Sequence, residues 1–255
     1  MIFVALAQFA VCFLILLWLL KKKPGDPFSK KTVAKFVLFG ALSMILCLGL
    51  TFVLPIKRDT FFGMNPLLSG FLTALLTAAL FEEVMKYIFF RLAVRNSREL
   101  VCWLDVIIAA VAVAIGFVLL EDMEFIVSGS GTILRALFPM HILFQAIMGY
   151  YYGKARMTKK FRYHVLSLAV PVLCHTAYDM FIIAMISIVG SASALTGLGE
   201  AELKSLPYAN YLMPLLICTV VIMVAGFTAL ILMLRKIGVW SKNGEKRELL
   251  AEEKR

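Results

Sequence analysis

The sequence contains few charged residues. Of its 255 residues, 16% are charged and 62% are hydrophobic, and the mean hydropathy is +0.90. Soluble domains are typically about 25% charged and about 45–50% apolar. A water-facing fold of this length cannot bury so much apolar surface, which argues against a soluble enzyme, a disordered chain and a collagen. The composition predicts an all-α polytopic membrane protein.

Several familiar site motifs are also missing. The five cysteines show no CxxC or CxxxC spacing, which argues against a thiolate metal site and favours buried thiols that act as small hydrophobic groups. The sequence contains no HExxH zinc motif, and its apolar runs contain no GxSxG or Ser-Lys arrangement. Any chemistry must therefore come from residues brought together by several helices.

Seven apolar runs are long enough to cross the hydrocarbon core, for which a helix needs about 20 residues. They cover residues 2–20, 33–54, 66–90, 101–125, 132–153, 165–189 and 211–234. No repeat or second domain is visible. We therefore expect a single transmembrane domain over 1–240, a motif-bearing core over 66–189 and a polar cytoplasmic tail over 241–255.

The basic residues predict the orientation. Of the 26 Lys and Arg, 21 fall in four segments that alternate with the runs, namely 21–35, 91–98, 154–162 and 235–255, whereas the opposite side carries only four. Positive charge stays on the cytoplasmic side, so we expect the N-terminus outside and the C-terminus in the cytoplasm. This pattern also explains the net charge of +10 without a nucleic-acid partner.

Ionisable residues within the apolar runs need a reason to be there, because each costs at least about 2.5–3.5 kcal/mol at mid-membrane. Glu82 and Glu83 precede Lys86 by four and three residues, so Lys86 can pair with either carboxylate. Adjacent carboxylates point about 100° apart on a helix. We therefore expect one to lie at the centre of a site while the other braces it; an ion pair near the helix end is the structural alternative.

Two histidines and two further acids follow on the next three runs. Glu121 comes one turn after Phe117, and Asp179 follows His175 by four residues. His141 begins a helical face that continues through Gln145 to the GxxxG pair Gly149 and Gly153. The GxxxG pair indicates close helix packing, within the chain or in a dimer. A carboxylate one turn from a histidine can accept its N–H and fix the tautomer.

Glutamate beside histidine suits general-base activation of water. Two histidines and one glutamate are also a common catalytic zinc set. The sequence therefore requires no cofactor but leaves a divalent metal such as zinc open, with Glu82, His141 and His175 as its ligands.

These residues, in this order, resemble the PrsW intramembrane proteases, which are related to the CAAX-processing and bacteriocin-protection-type membrane proteases. The resemblance covers residues 66–185 and rests on Glu82-Glu83-x-x-Lys86, Phe117-x-x-x-Glu121, His141 with Met148-Gly149-Tyr150, and His175-x-x-x-Asp179. It implies a helix bundle in the bacterial cytoplasmic membrane that cleaves a membrane-anchored protein, as the family's namesake cleaves an anti-sigma factor.

The resemblance also implies roles for individual residues. Glu82 is expected to activate water, with Glu83 as a further catalytic carboxylate and Lys86 in support. His141 and His175 are expected to assist the water or the oxyanion. Asp179 would orient His175, while Phe117 and Glu121 would line the site.

The depths of these residues along their helices must be compatible with a single site. At about 1.5 Å per residue, Glu82 lies about 24 Å from the outer end of its run, whereas Glu121 falls near the outer rim. A single site requires Glu82, His141 and His175 within about 10 Å of one another. Separation of these groups would leave the function unknown. The alternative functions are a non-enzymatic immunity or scaffold protein and, as a weaker option because no inverted repeat is visible, a proton-coupled transporter.

Overall fold

The computed structural model describes residues 2–23, 25–53, 57, 59–128, 140–190 and 199–252, and this part of the chain is helical with no β-strand. We number the α-helices in chain order: α1 Ile2–Leu20, α2 Lys30–Val53, α3 Pro66–Thr73, α4 Leu80–Val94, α5 Trp103–Ser128, α6 Met140–Thr158, α7 Phe161–Val189, α8 Glu200–Ser205 and α9 Leu212–Glu252. A π-helix, Ala74–Ala79, joins α3 to α4, and a 3₁₀ turn, Ala209–Tyr211, precedes α9.

Five helical segments of the described chain are long and apolar enough to cross a membrane. They are Lys30–Leu50, Pro66–Val94, Trp103–Glu121, Phe161–Val189 and Ala209–Val239. The first predicted run corresponds to α1, Ile2–Leu20, and the fifth to α6, whose predicted beginning at 132–139 lies outside the described residues. The helical, polytopic class is therefore confirmed, while the count of seven and the orientation of the termini stay predictions.

Helix α5 forms the centre of the bundle. In its most apolar window 83% of the residues are buried, against 22–39% in the other four segments, and it packs against α1, α2 and α6. Small residues allow this close packing. A Cβ atom on Gly149 of α6 would lie 2.8 Å from Ile107 Cα and 2.9 Å from Ala110 Cβ. The GxxxG pair therefore packs α6 against α5 within the chain.

The segment Pro66–Val94 is one continuous helix interrupted by the π-helix. Asn65 begins it, because its Oδ1 accepts a hydrogen bond from the N–H of Leu67 at 3.1 Å, and Pro66 occupies a first-turn position that needs no N–H donor. The π-helix ends at Ala79, three residues before Glu82. A π-turn inserts extra residues per turn and changes the direction of the side chains that follow. It therefore helps to set where Glu82 and Glu83 point.

Helix α7 contains Pro171 one turn before His175. Proline supplies no N–H, so the helix lacks one backbone hydrogen bond beside the site. The helix ends at Gly190, which adopts a left-handed conformation with φ 81°, as is common at helix C-termini.

The turn between α4 and α5 caps the beginning of α2. Glu99 accepts hydrogen bonds from the N–H of Ser29 at 2.7 Å, the Ser29 hydroxyl at 2.9 Å and the Thr32 hydroxyl at 2.6 Å. The bond from Thr32 is the main reason why the pKa of Glu99 is held below its ordinary value. Three donors thus connect two segments that are 67–70 residues apart in sequence.

Candidate active site

Four helices bring the predicted polar residues into one buried cluster. Glu82, Glu83, His141 and His175 each offer one ligand atom, and these atoms all lie within 4.8 Å of one another. The carboxylates come from α4 and the histidines from α6 and α7, while α5 contributes Phe117 and Glu121. The requirement that Glu82, His141 and His175 lie within about 10 Å is met.

Glu83 lies at the centre of the cluster and is fully buried. Its Oε1 accepts a hydrogen bond from Lys86 Nζ at 2.9 Å and lies 3.0 Å from His175 Nδ1. Its Oε2 accepts a hydrogen bond from Gln145 Nε2 at 3.0 Å. One carboxylate therefore connects α4 to both α6 and α7.

Glu82 lies at the edge of the same cluster. Its side chain is 16% exposed, and Lys86 Nζ lies 3.2 Å from its Oε2. That is its only hydrogen bond within the described part of the chain. The two adjacent carboxylates thus divide into a central and a peripheral group, and Glu83, not Glu82, is the central one. Both contact Lys86 because it follows Glu82 by four residues and Glu83 by three, and side chains at these spacings are neighbours on a helix.

The Lys86 ammonium is buried among acceptors and does not extend to the surface. Its side chain has no exposed area. Besides the two carboxylates, its Nζ lies 3.0 Å from His141 Nδ1 and 3.8 Å from the centre of the Phe117 ring. The ring adds a cation–π contact. An ion pair that extends to water, the structural alternative from the sequence, does not describe this residue.

His141 is held by one contact at each ring nitrogen. An ammonium can only donate hydrogen bonds, so Nδ1, which faces Lys86, carries the lone pair and Nε2 carries the proton. Nε2 lies 2.9 Å from Glu121 Oε2, so the carboxylate is in close electrostatic contact with this side of the ring. Glu121 therefore reaches the cluster through His141, although residue counting put it near the outer rim.

His175 lies between two carboxylates. Its Nδ1 is 3.0 Å from Glu83 Oε1 and its Nε2 is 3.1 Å from Asp179 Oδ2. Because ionised carboxylates only accept, Nε2 carries a proton towards Asp179, and Nδ1 would hold either a second proton or a metal ion. The ring stacks on Phe144, with centroids 5.0 Å apart and planes 22° apart, which fixes its orientation.

Two residues of the cluster were not predicted as site residues. Gln145 binds Glu83 and Phe144 stacks on His175. The available signal for Gln145 was its position one turn after His141 on the same face of α6. Its partner is a residue 62 positions away in the sequence, and nothing in the local pattern identifies such a contact.

The donor set fits a divalent metal ion. Each histidine has Nδ1 towards the centre of the cluster and Nε2 beside a carboxylate, Glu121 or Asp179. Metal-binding histidines usually donate their second ring N–H in this way. The cluster also contains four carboxylates against one lysine ammonium, an excess of negative charge that favours a cation.

Known proteins that are similar to this chain are PrsW proteases. A model of the "PrsW family intramembrane metalloprotease" matches residues 29–224. Protease PrsW of Halalkalibacterium halodurans is 36% identical over 159 residues, which are 59% of this chain and 70% of that protein. Protease PrsW of Geobacillus kaustophilus is 32% identical over 60% of this chain and 67% of its own length.

The similarity extends to further bacterial relatives. Protease PrsW of Bacillus subtilis is 30% identical over 148 residues, which are 54% of this chain and 67% of that protein. No solved structure matches the chain. The family match covers most of the sequence, including every residue of the cluster and all or part of each of the five candidate spans. The chain therefore belongs to the PrsW family of intramembrane metalloproteases and is a multi-pass membrane protease.

Proposed function

We propose that this protease cleaves a peptide bond of a membrane-anchored protein, of the anti-sigma-factor type, with a water molecule activated by glutamate and assisted by histidine. The observation that carries the mechanism is the convergence of two carboxylates and two histidines within 4.8 Å of one another inside an apolar bundle. Hydrolysis in such a site needs a base, a proton donor and a group that stabilises the oxyanion.

Glu82 is suited to be the base. It is the more exposed of the two adjacent carboxylates, and its one hydrogen bond among the described residues is made by Oε2, which leaves Oε1 available to a water molecule. In this mechanism Glu82 takes a proton from the water as the water oxygen attacks the carbonyl carbon. Glu83 is less suited because Lys86, His175 and Gln145 already occupy both of its oxygens, so the central carboxylate supports the site by holding Lys86 and His175 in place.

His175 is suited to be the proton donor. With Asp179 holding Nε2 and Glu83 facing Nδ1, it can stabilise the charge that develops on the carbonyl oxygen and then protonate the leaving amine as the C–N bond breaks. The proton that Glu82 took from the water then returns to His175, which restores both groups. His141 supports it from 5.1 Å away between ring centres and is itself oriented by Glu121.

A bound divalent metal fits the same residues. Glu82, His141 and His175 would hold it, with Glu121 and Asp179 orienting the two rings. A metal such as zinc supplies a Lewis acid that lowers the pKa of bound water. The roles of Asp179 and Glu121 as orienting carboxylates are the same with or without the metal.

Cleavage of a co-expressed substrate tests this function. We would express the protein in bacterial membranes with a single-pass anti-sigma-factor-like protein that carries tags on both sides of the bilayer. Glu82→Gln and His175→Ala should lower cleavage about 10²- to 10⁴-fold, as expected for loss of an acid–base group. Thr219→Val is a matched control, because Thr219 is also buried and, in the described part of the chain, its hydroxyl donates only to Leu215 O of its own helix, α9.

Two results bear on different parts of the proposal. Normal cleavage by both Glu82→Gln and His175→Ala, at wild-type expression, would refute the mechanism. Metal analysis of the purified protein separates a metal-dependent mechanism from one that uses glutamate alone. Stoichiometric zinc that is lost in His141→Ala would support the metal set, whereas wild-type activity in metal-free protein would exclude it.

A further inference from the structure

The amide of Gln145 is the only hydrogen-bond partner of one oxygen of the central carboxylate within the described residues. Gln145 is fully buried on α6, and its Nε2 donates to Glu83 Oε2 at 3.0 Å. The other oxygen, Oε1, is shared by Lys86 Nζ at 2.9 Å and His175 Nδ1 at 3.0 Å. The two oxygens therefore have separate partners on different helices.

This division fixes the plane of the carboxylate. The terminal torsion of glutamate is broad and weakly restricted, so a carboxylate held at one oxygen can rotate. A donor at Oε2 prevents that rotation. It keeps Oε1 directed at Lys86 and His175, two of the residues that surround Glu82 and the proposed water position.

Packing alone does not account for a glutamine at this position. Gln145 Oε1 is buried and has no hydrogen-bond partner in the described structure, and such an acceptor destabilises the folded state. Reversing the amide would bring this oxygen against an acceptor-only carboxylate. A methionine fills a similar volume without an unpaired acceptor, so the amide has a use that a space-filling side chain would not provide.

We propose that Gln145 is a positioning residue of the protease, which acts through Glu83 by holding its carboxylate in the orientation that serves Lys86 and His175. This inference rests on the proposed function, because it assumes that the cluster performs the hydrolysis. It concerns the rate of the chemical step and not the binding of the membrane substrate.

Kinetics in liposomes with a purified tagged substrate test this role. Gln145→Met should lower kcat about 10- to 100-fold, the effect typical of residues that orient a site group, while KM stays near that of the wild type. It also leaves Glu83 Oε2 without its donor, which destabilises the folded state, so the unfolding temperature should fall by about 2–12 °C. Gln145→Glu has the same shape but no N–H donor when ionised, and it should lower kcat similarly. Thr219→Val again serves as the control.

A swapped pair separates positioning from simple helix attachment. Glu83→Gln combined with Gln145→Glu can remake the hydrogen bond with donor and acceptor exchanged. Recovery of the unfolding temperature without recovery of kcat supports positioning. Recovery of both would show that the bond only joins the helices and would overturn the inference.

The remaining outcomes are equally decisive. Wild-type kcat in Gln145→Met, with Glu82→Gln inactive, would overturn the role of Gln145 and leave the proposed function intact. Normal cleavage by Glu82→Gln would instead refute the proposed function itself. Should Gln145→Met fail to accumulate, Gln145→Glu and the swapped pair carry the same comparison.

Discussion

Replacement of Lys86 by methionine removes the only ammonium in the polar cluster and keeps a side chain of similar length. In the wild type its Nζ lies 2.9 Å from Glu83 and 3.2 Å from Glu82. At an effective dielectric constant of about 20, each of these pairs attracts with about 5 kcal/mol before desolvation is considered. Burial of the charges offsets much of this attraction.

The expected net effect is therefore smaller than the pairwise attraction. Removing one partner of a buried ion pair destabilises a protein by about 3–5 kcal/mol, because the other charge stays buried without compensation. Lys86→Met removes the ammonium that both carboxylates share; Glu83, which has no exposed area, keeps its contacts with His175 and Gln145 but loses its lysine partner. With a shift of about 2–4 °C for each kcal/mol, we expect the unfolding temperature to fall by about 6–20 °C.

Thermal unfolding of the purified protein in detergent measures this change. Lys86→Met combined with Glu83→Gln should recover part of the lost stability, because the second substitution removes the buried carboxylate that has lost its lysine partner. Lys204→Met is a control for loss of an exposed lysine, since Lys204 lies on the short helix α8. An unfolding temperature within 1 °C of the wild type for Lys86→Met, against a shift of at least about 6 °C, would refute the idea that this ammonium holds the carboxylates together.

Two further predictions concern packing and the α4–α5 turn. Gly149→Leu should destabilise the protein by about 1–3 kcal/mol or more, because even a Cβ would lie 2.8 Å from Ile107 Cα; wild-type thermal stability would contradict the close contact. The bonds that lower the pKa of Glu99 stabilise the fold above its ordinary pKa, and this contribution is lost as the pH falls through the folded-state value. Glu99→Gln should therefore reduce the acid-side loss of thermal stability, and an unchanged pH profile would show that the cap from Thr32 contributes nothing.

The helical elements followed from local sequence because a membrane-spanning helix satisfies its own backbone groups and needs only a long apolar run. Runs 66–90 and 165–189 match Pro66–Val94 and Phe161–Val189 within a few residues. The π-helix Ala74–Ala79 was not predictable, because its residues are ordinary helix formers and its register depends on packing against α7.

The site was only partly predictable for a similar reason. The spacing of Glu82, Glu83 and Lys86 indicated their mutual contacts, since residues three and four apart on a helix are neighbours. The central position of Glu83 and the contact between Glu121 and His141 depend on how four helices cross. A count of residues along straight helices put Glu121 near the outer rim. It did not include the side-chain contacts by which His141 lies next to both Lys86 and Glu121.

The sequence by itself determined the class of the protein. Long apolar runs form membrane-spanning helices because a helix satisfies its own backbone groups, and the few ionisable groups within the runs are stable there only if they meet in a polar site. Only the tertiary structure decided which of those groups meet. Glu83 with Gln145, and Lys86 with His141, are partners 62 and 55 positions apart. Contacts of that kind depend on helix crossing and close approach at small residues such as Gly149, which local periodicity does not encode.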